Sequence, residues 1–368
     1  MVIKTVMLWL VAAGVVIGGI DYILGNKLGA GAKFYEGFML MGKTALGIVG
    51  IICLAPVFGR VLGNFLTPLY GLIGADPAMF GSILAIDMGG YSLAVSMAKD
   101  AALGLYGGVV MASLLGPVLV YYLPIGFQLT DREDHPLFAK GNIIGLSVMP
   151  LGCMAGGLTM GLSFGTIIVN SLPVIFMSAL LICGMLFFRK AVITACLWYA
   201  RLISAIGVLG IILAFLRFLT GVTLLKGMDE VSVGFLIVGY ISISVIGFLS
   251  LVGLLLRFAG KTLAQIGRAV GLDGVGISAL VLTTASSTPV FALIKDMTPR
   301  SKVVVTAFLV YGSFAAHVGF TAGVAPDLIP ALIAGKFVSA VAAVVLAMLL
   351  TRKDHVKIKD KEEVYENQ

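Results

Sequence analysis

Asp87 is the only charged residue in the apolar run 77–98, and Met88, Gly89 and Gly90 follow it directly. A carboxylate at the centre of a bilayer costs about 3 kcal/mol on insertion scales, and such residues usually mark a transport pathway. Adjacent glycines weaken a helix, and an interrupted helix leaves backbone groups open to a ligand. The combination predicts a polar site inside a membrane, suited to a small, polar and cationic solute. The plainer alternative is that Asp87 caps a half-helix or pairs with a buried lysine. A second polar concentration, Thr284, Ser286, Ser287 and Thr288, precedes Pro289. Its hydroxyls and freed carbonyls suit an amino alcohol or a metal cation, or they satisfy backbone released by the proline. His317 lies mid-segment, either as a hydrogen-bonded structural residue or as a ligand for a proton or substrate. Glu36 opens its segment as a candidate mouth residue. Lys43, seven residues on and on the same helical face, can snorkel or pair with an acid. Asn142 and Asn170 are placed near segment ends, at the interface.

Other chemistries are disfavoured. Gly37 to Thr44 fits the phosphate-loop spacing, but its middle residues are apolar and it starts a membrane segment instead of following a strand. The glycines of Gly274-x-Gly276 lack a preceding strand too, and helix packing explains them better. Cys53, Cys153, Cys183 and Cys196 lie in apolar runs without CxxC spacing and read as small core residues. No HExxH occurs, and the basic residues are dispersed over loops and tail. The chain therefore reads as no enzyme, with no catalytic set, no cofactor, no metal and no nucleic-acid partner.

The elements that must hold these residues are membrane helices. The 368 residues are 60% hydrophobic and 12% charged, with mean hydropathy +1.09. Ordinary globular chains carry about 25% charged residues. Eleven apolar segments can be drawn: 3–24, 35–58, 77–98, 101–125, 141–165, 168–188, 191–216, 231–256, 275–294, 302–324 and 328–351. The first reads as a span, since no convincing small-residue cleavage site precedes Asp21. At a constant offset of 197, Gly37-Phe38, Gly42 and Gly50 match Gly234-Phe235, Gly239 and Gly247, and Gly74-x-Asp76 matches Gly271-x-Asp273. In that register Asp87-Met-Gly89-Gly90 corresponds to Thr284-Ala-Ser286-Ser287. If 77–98 and 275–294 are re-entrant hairpins, about 17 of the loop and tail Lys/Arg fall on the side of the C-terminal tail and about 4 on the other, as the positive-inside rule prefers. The halves then run in opposite directions, a common transporter plan.

The expected fold is an all-α polytopic membrane protein of about 9–11 transmembrane segments. It has two inverted structural repeats with broken or re-entrant helices at the centre. The expected layout is a single transporter domain over 1–351 (repeat 1 about 1–165, a linking helix about 168–190, repeat 2 about 191–351) and a charged cytoplasmic tail over 352–368.

The residues also resemble a known family. Glu36-Gly-Phe-Met-Leu-Met-Gly42, Leu54-Ala-Pro56, Gly74-Ala-Asp-Pro-Ala-Met-Phe80 and Ile86-Asp-Met-Gly-Gly90 resemble the EutH family of bacterial ethanolamine permeases. So do Pro150-Leu-Gly-Cys-Met-Ala-Gly-Gly157, Lys295-Asp-Met-x-Pro-Arg300 and His317-Val-Gly-Phe-Thr-Ala322. The resemblance runs from about residue 21 to about residue 350. It implies an inner-membrane protein that passes ethanolamine, by facilitated diffusion or secondary transport, to cytoplasmic catabolic enzymes, the first a cobalamin-dependent lyase. The expected substrate-binding residues are Asp87, Met88, Gly89, Gly90, Thr284, Ser286, Ser287, Thr288, Glu36 and His317. The expected partners are ethanolamine and the lipid bilayer, with homo-oligomerisation open. An ion-coupled carrier of another small amine or organic solute is the alternative.

Overall fold

The computed structural model describes residues 2–83 and 90–352. Asp87, Met88 and Gly89 lie outside the described residues, as do the side chain of Thr288 and the tail beyond Arg352. Among the described residues the structure is helical, and nine helices are long and apolar enough to cross a membrane. They are α1 (Val2–Ile23), α2 (Ala30–Leu72), α5 (Ala101–Leu129), α6 (Arg132–Thr159), α7 (Phe164–Phe187), α8 (Arg189–Thr220), α9 (Val231–Val270), α12 (Pro299–Val324) and α13 (Pro326–Leu350). Four short helices complete the set: α3 (Met79–Ile83), α4 (Gly90–Met97), α10 (Gly274–Ala285) and α11 (Thr288–Leu293).

Several helices outrun the expected segments. The second continues through Pro56 and Pro68 to Leu72. The stretch expected at 141–165 starts at Arg132, inside a polar island. There a Lys302–Asp134 ion pair of 2.5 Å ties the start of α6 to the start of α12, with both side chains largely buried.

The segments 77–98 and 275–294 are not among the nine long apolar helices, and the chain just before and after each is held together. Asp76 stands before the first, and its Oδ1 accepts from the Ala78 amide at 2.8 Å. Its Oδ2 accepts from the amides of Lys99 and Asp100, beyond the segment's far end, at 3.0 and 3.1 Å. A continuous helix of that length would hold those ends about 30 Å apart. The second hairpin is tied the same way. The Asp273 carboxylate caps α10 through the Gly276 amide at 2.7 Å and accepts from the Thr298 amide at 2.8 Å and hydroxyl at 2.6 Å. In both places a left-handed glycine, Gly74 at φ 70° or Gly271 at φ 76°, turns the chain into the aspartate. Asn170 was expected at the interface, but it is buried and its side chain accepts from the Asp76 amide at 2.7 Å. Asn142 is buried as well, donating to the Phe138 carbonyl, because a polar group enclosed by helices must find a partner.

Glycines let the long helices cross closely. A β-carbon built on Gly37 of α2 would lie 2.8 Å from the Ile246 Cα of α9, and one on Gly234 of α9 would lie 3.1 Å from the Val49 Cα of α2. One on Gly14 of α1 would lie 2.7 Å from the Gly247 carbonyl carbon, and one on Gly50 of α2 would lie 2.6 Å from the Ile211 amide nitrogen of α8. The helices α5 and α12 are the most enclosed, with 83% and 78% of their apolar windows buried, and so form the centre of the bundle.

Candidate functional site

Both central helices are irregular where they meet the second hairpin. The chain of α5 passes Pro117 into a π-helical turn, Val118–Tyr122. Such turns shift the helical register and recur at functional sites. Here Tyr121 and Tyr122 fall on the wall of a cavity of about 500 Å³. Helix α12 breaks at Ser313, whose ψ of 76° is far from helical. In the hairpin α10 stops at Ala285, Ser286 is extended, and α11 restarts with Pro289 in its first turn, where the missing N–H costs no bond.

Three hydroxyls converge at this junction. Tyr122 donates to Ser313 Oγ at 2.9 Å, Ser287 Oγ lies 2.5 Å from Ser313 Oγ, and Ser287 reaches the Tyr122 hydroxyl at 3.4 Å. Ser286, Ser287 and Ser313 all line the cavity. Its charged lining residues, among those described, are Lys43 and Arg201, both exposed. Arg201 also lies over the Trp198 ring, 5.6 Å from its centroid.

His317 is buried one turn beyond the break. Its Nδ1 lies 2.5 Å from the Ser313 carbonyl oxygen, a contact that calls for the proton on Nδ1 because a carbonyl only accepts. Lys336 of α13 is fully buried, with Nζ 3.2 Å from the same Nδ1, 3.4 Å from the Ser113 carbonyl oxygen and 5.7 Å from the Phe314 ring centroid. His317 thus holds the backbone that positions Ser313, while its neighbour Ala316 lines the cavity.

The expected site residues separate into groups. Ser286 and Ser287 are in the wall. Thr284 is half-buried and its hydroxyl turns back to the Val281 carbonyl at 2.7 Å, the usual way a helical threonine satisfies itself. Glu36 pairs with Lys33 at 2.6 Å and keeps 39% of its side chain exposed, while its neighbour Gly37 is the residue that reaches the cavity. Gly90 is buried at the start of α4, its carbonyl oxygen 2.7 Å from where a Gly81 β-carbon would stand. Sequence reasoning missed Ser313, Tyr122 and Lys336. Lys336 carried the same signal as Asp87, a lone charge in an apolar run. Gly37 to Thr44, the stretch with phosphate-loop spacing, is continuous helix inside α2.

Among the described residues the cysteines are free, with Cys53, Cys153 and Cys196 buried and Cys183 exposed. No group of three or more His, Cys, Asp or Glu residues able to hold a metal occurs among them.

Nine apolar helices among the described residues, a cavity with hydroxyls in its wall and the relatives below define a multi-pass membrane permease, a transport protein and not an enzyme. The chain belongs to the EutH family: residues 3–350 match the model described as "Ethanolamine utilisation protein, EutH". It is 36% identical over 366 residues to "Probable ethanolamine permease EutH" of Listeria monocytogenes, covering 99% of this chain and 98% of that relative. Over 353 residues it is 34% identical to the protein of the same name from Escherichia coli, covering 89% and 86%. A Bacillus subtilis relative, "Uncharacterized protein YxeR", is 36% identical over 360 residues, covering 97% of each chain. No solved structure matches the chain.

Proposed function

We propose that the protein carries ethanolamine across the bacterial inner membrane into the cytoplasm for catabolism, by facilitated diffusion or secondary transport. The observation that carries this is the hydroxyl cluster of Ser287, Ser313 and Tyr122 on the wall of an intramembrane cavity, in a chain whose relatives bear the name of an ethanolamine permease. A primary amine with a pKa near that of lysine, about 10, is almost wholly cationic at neutral pH and crosses hydrocarbon poorly. In this reading Ser286 and Ser287 receive the substrate hydroxyl, and Asp87 faces the ammonium group.

The proposal includes an inverted duplication, with repeat 1 over about 1–165, α7 as the linking helix and repeat 2 over about 191–351. Its support is reciprocal. At the 197 offset, the close pair Gly37–Ile246 corresponds to Val49–Gly234, and Gly14–Gly247 corresponds to Ile211–Gly50. Such exchanged pairs are what a two-fold axis produces. The Asp76 and Asp273 clips, each within its own half, stand at matching positions of the two halves. Four crossings precede α7, so a fifth crossing starts the second set from the opposite face. The basic bias of the loops and tail supports a cytoplasmic tail.

Uptake of labelled ethanolamine into cells lacking their own permease tests the substrate. Saturable uptake, blocked by excess unlabelled ethanolamine and lost in Asp87→Asn at normal membrane levels, is expected. Full-rate uptake by that variant would remove Asp87 from the site, and no uptake by the parent would remove ethanolamine.

A further inference from the structure

The two faces of the bundle differ at positions that the 197 offset makes equivalent. Arg201, Ser204, Tyr121 and Gln128 line the open cavity. Their counterparts are Lys4, Met7, Val318 and Ala325. Met7 and Ala325 pack against a cluster of Val109, Val318 and Leu332, each of which is at most 2% exposed. Tyr91 of α4 packs on the same cluster, with its ring edge-on to Phe320 at 5.5 Å and its hydroxyl 3.4 Å from the Val324 carbonyl oxygen. Near this plug Lys4 Nζ pairs with Asp327 Oδ1 at 2.9 Å. The open side has no equivalent of this ion pair: the position matching Asp327 is Thr130, whose hydroxyl bonds the Gly126 carbonyl.

Crossing parity assigns the faces. Taken each as one crossing, the nine candidate spans among the described residues put the two ends of the bundle on opposite faces. Helix α5 is the third crossing and α13 the ninth, so Gln128, near the end of α5, lies on the face of the C-terminal tail. Lys4 and Asp327 lie on the face of the N-terminus.

We propose that the N-terminal face is closed by a gate, with the Lys4–Asp327 pair as its latch and Met7, Val318 and Ala325 as its plug, and that transport requires this gate to open while the cavity on the tail face closes. The proposal rests on the inverted duplication and goes beyond it, because it names the residues that seal one side. Carriers built from inverted repeats exchange access in this way, each half taking in turn the arrangement of the other. The opened gate would present apolar Met7, Val318 and Ala325 where the tail-side mouth presents Ser204, Tyr121 and Gln128.

Labelling tests it without any substrate, so its outcome is independent of the ethanolamine reading. A single cysteine at Met7, in a chain whose native cysteines are replaced, is exposed to a membrane-impermeant maleimide from the N-terminal face. A single cysteine at Ser204 is exposed from the tail face. Slow labelling at Met7→Cys and fast labelling at Ser204→Cys are expected. Adding Asp327→Ala should speed labelling at Met7→Cys by up to about fivefold, the effect of an exposed ion pair contributing about 1 kcal/mol. The exchanged pair, Lys4→Asp with Asp327→Lys, should return it to the slow rate. Fast labelling at Met7→Cys with the latch intact, or a rate unchanged by Asp327→Ala, would overturn the gate.

Discussion

Ser287 and Ser313 touch through their hydroxyl oxygens, one from the break in a re-entrant hairpin and the other from the break in α12. Each interruption frees a polar group where the other can use it, and Tyr122 completes the set from a π-helical turn. This hydroxyl cluster in the cavity wall is therefore made by three departures from regular helix.

Removing one of these hydroxyls should weaken substrate handling more than folding. Ser313→Ala is expected to raise the KM for uptake about fivefold, the usual net effect of one hydrogen bond, at unchanged membrane level. Ser287→Ala should act similarly, and the double variant should cost less than the two effects combined, since the pair shares one contact. Additive effects would show that the hydroxyls work separately.

The basic mouth gives a prediction of opposite sign. Lys43 and Arg201 repel an approaching cation, so Lys43→Gln should lower the KM for a cationic amine a few-fold at low ionic strength and lose that advantage as salt screens the site. An unchanged KM at low salt would mean that Lys43 does not face the entry route.

The second hairpin clip should be sensitive to acid. Burial pushes the Asp273 carboxyl up, but hydrogen bonds from Ser301, Thr298 and Gly276 outweigh it and hold the group below its ordinary value. A carboxylate with a lowered folded pKa adds stability above its unfolded pKa and loses it as pH falls through the folded one. Asp273→Asn should therefore cost about 1–3 kcal/mol near neutrality. The gap between parent and variant melting curves in detergent should narrow only below the ordinary carboxylate range. A gap that persists there would assign the effect to shape, not charge.

Crossing geometry sets a further test. A β-carbon on Gly50 would collide with the Gly207 carbonyl, whereas one at Gly42 would meet nothing within 4 Å. Gly50→Ala should destabilise by about 1–3 kcal/mol, as overpacking does. Gly42→Ala, on a helix surface, should be neutral or slightly stabilising. Equal effects in thermal melts would contradict the close crossing of α2 and α8.

Much of this architecture was legible in the residues. Hydropathy located the spans, and the charge distribution favoured hairpins at 77–98 and 275–294. What ties those hairpins was not legible, because Asp76 and its partner Lys99 stand 23 residues apart and Asp273 and Thr298 stand 25 apart. Ser286 and Ser287, singled out because a proline follows them, line the cavity. Ser313 and Tyr122 were not singled out, since a lone hydroxyl in an apolar helix commonly bonds its own backbone, and only the local unwinding turns these two toward each other. Glu36, expected at a mouth from its place at a segment start, is partly exposed and paired with a lysine one turn earlier, a partner that the spacing alone did not single out. Lys336 could have been found by the reasoning applied to Asp87.

The most direct measurement is uptake of labelled ethanolamine by liposomes holding the purified protein, before and after a bulky thiol reagent modifies a cysteine introduced at Ser204 in the cavity wall. Saturable uptake that competitor blocks and modification abolishes is the predicted result. Uptake no greater than in protein-free liposomes, or uptake untouched by complete modification, would contradict passage of ethanolamine through this cavity.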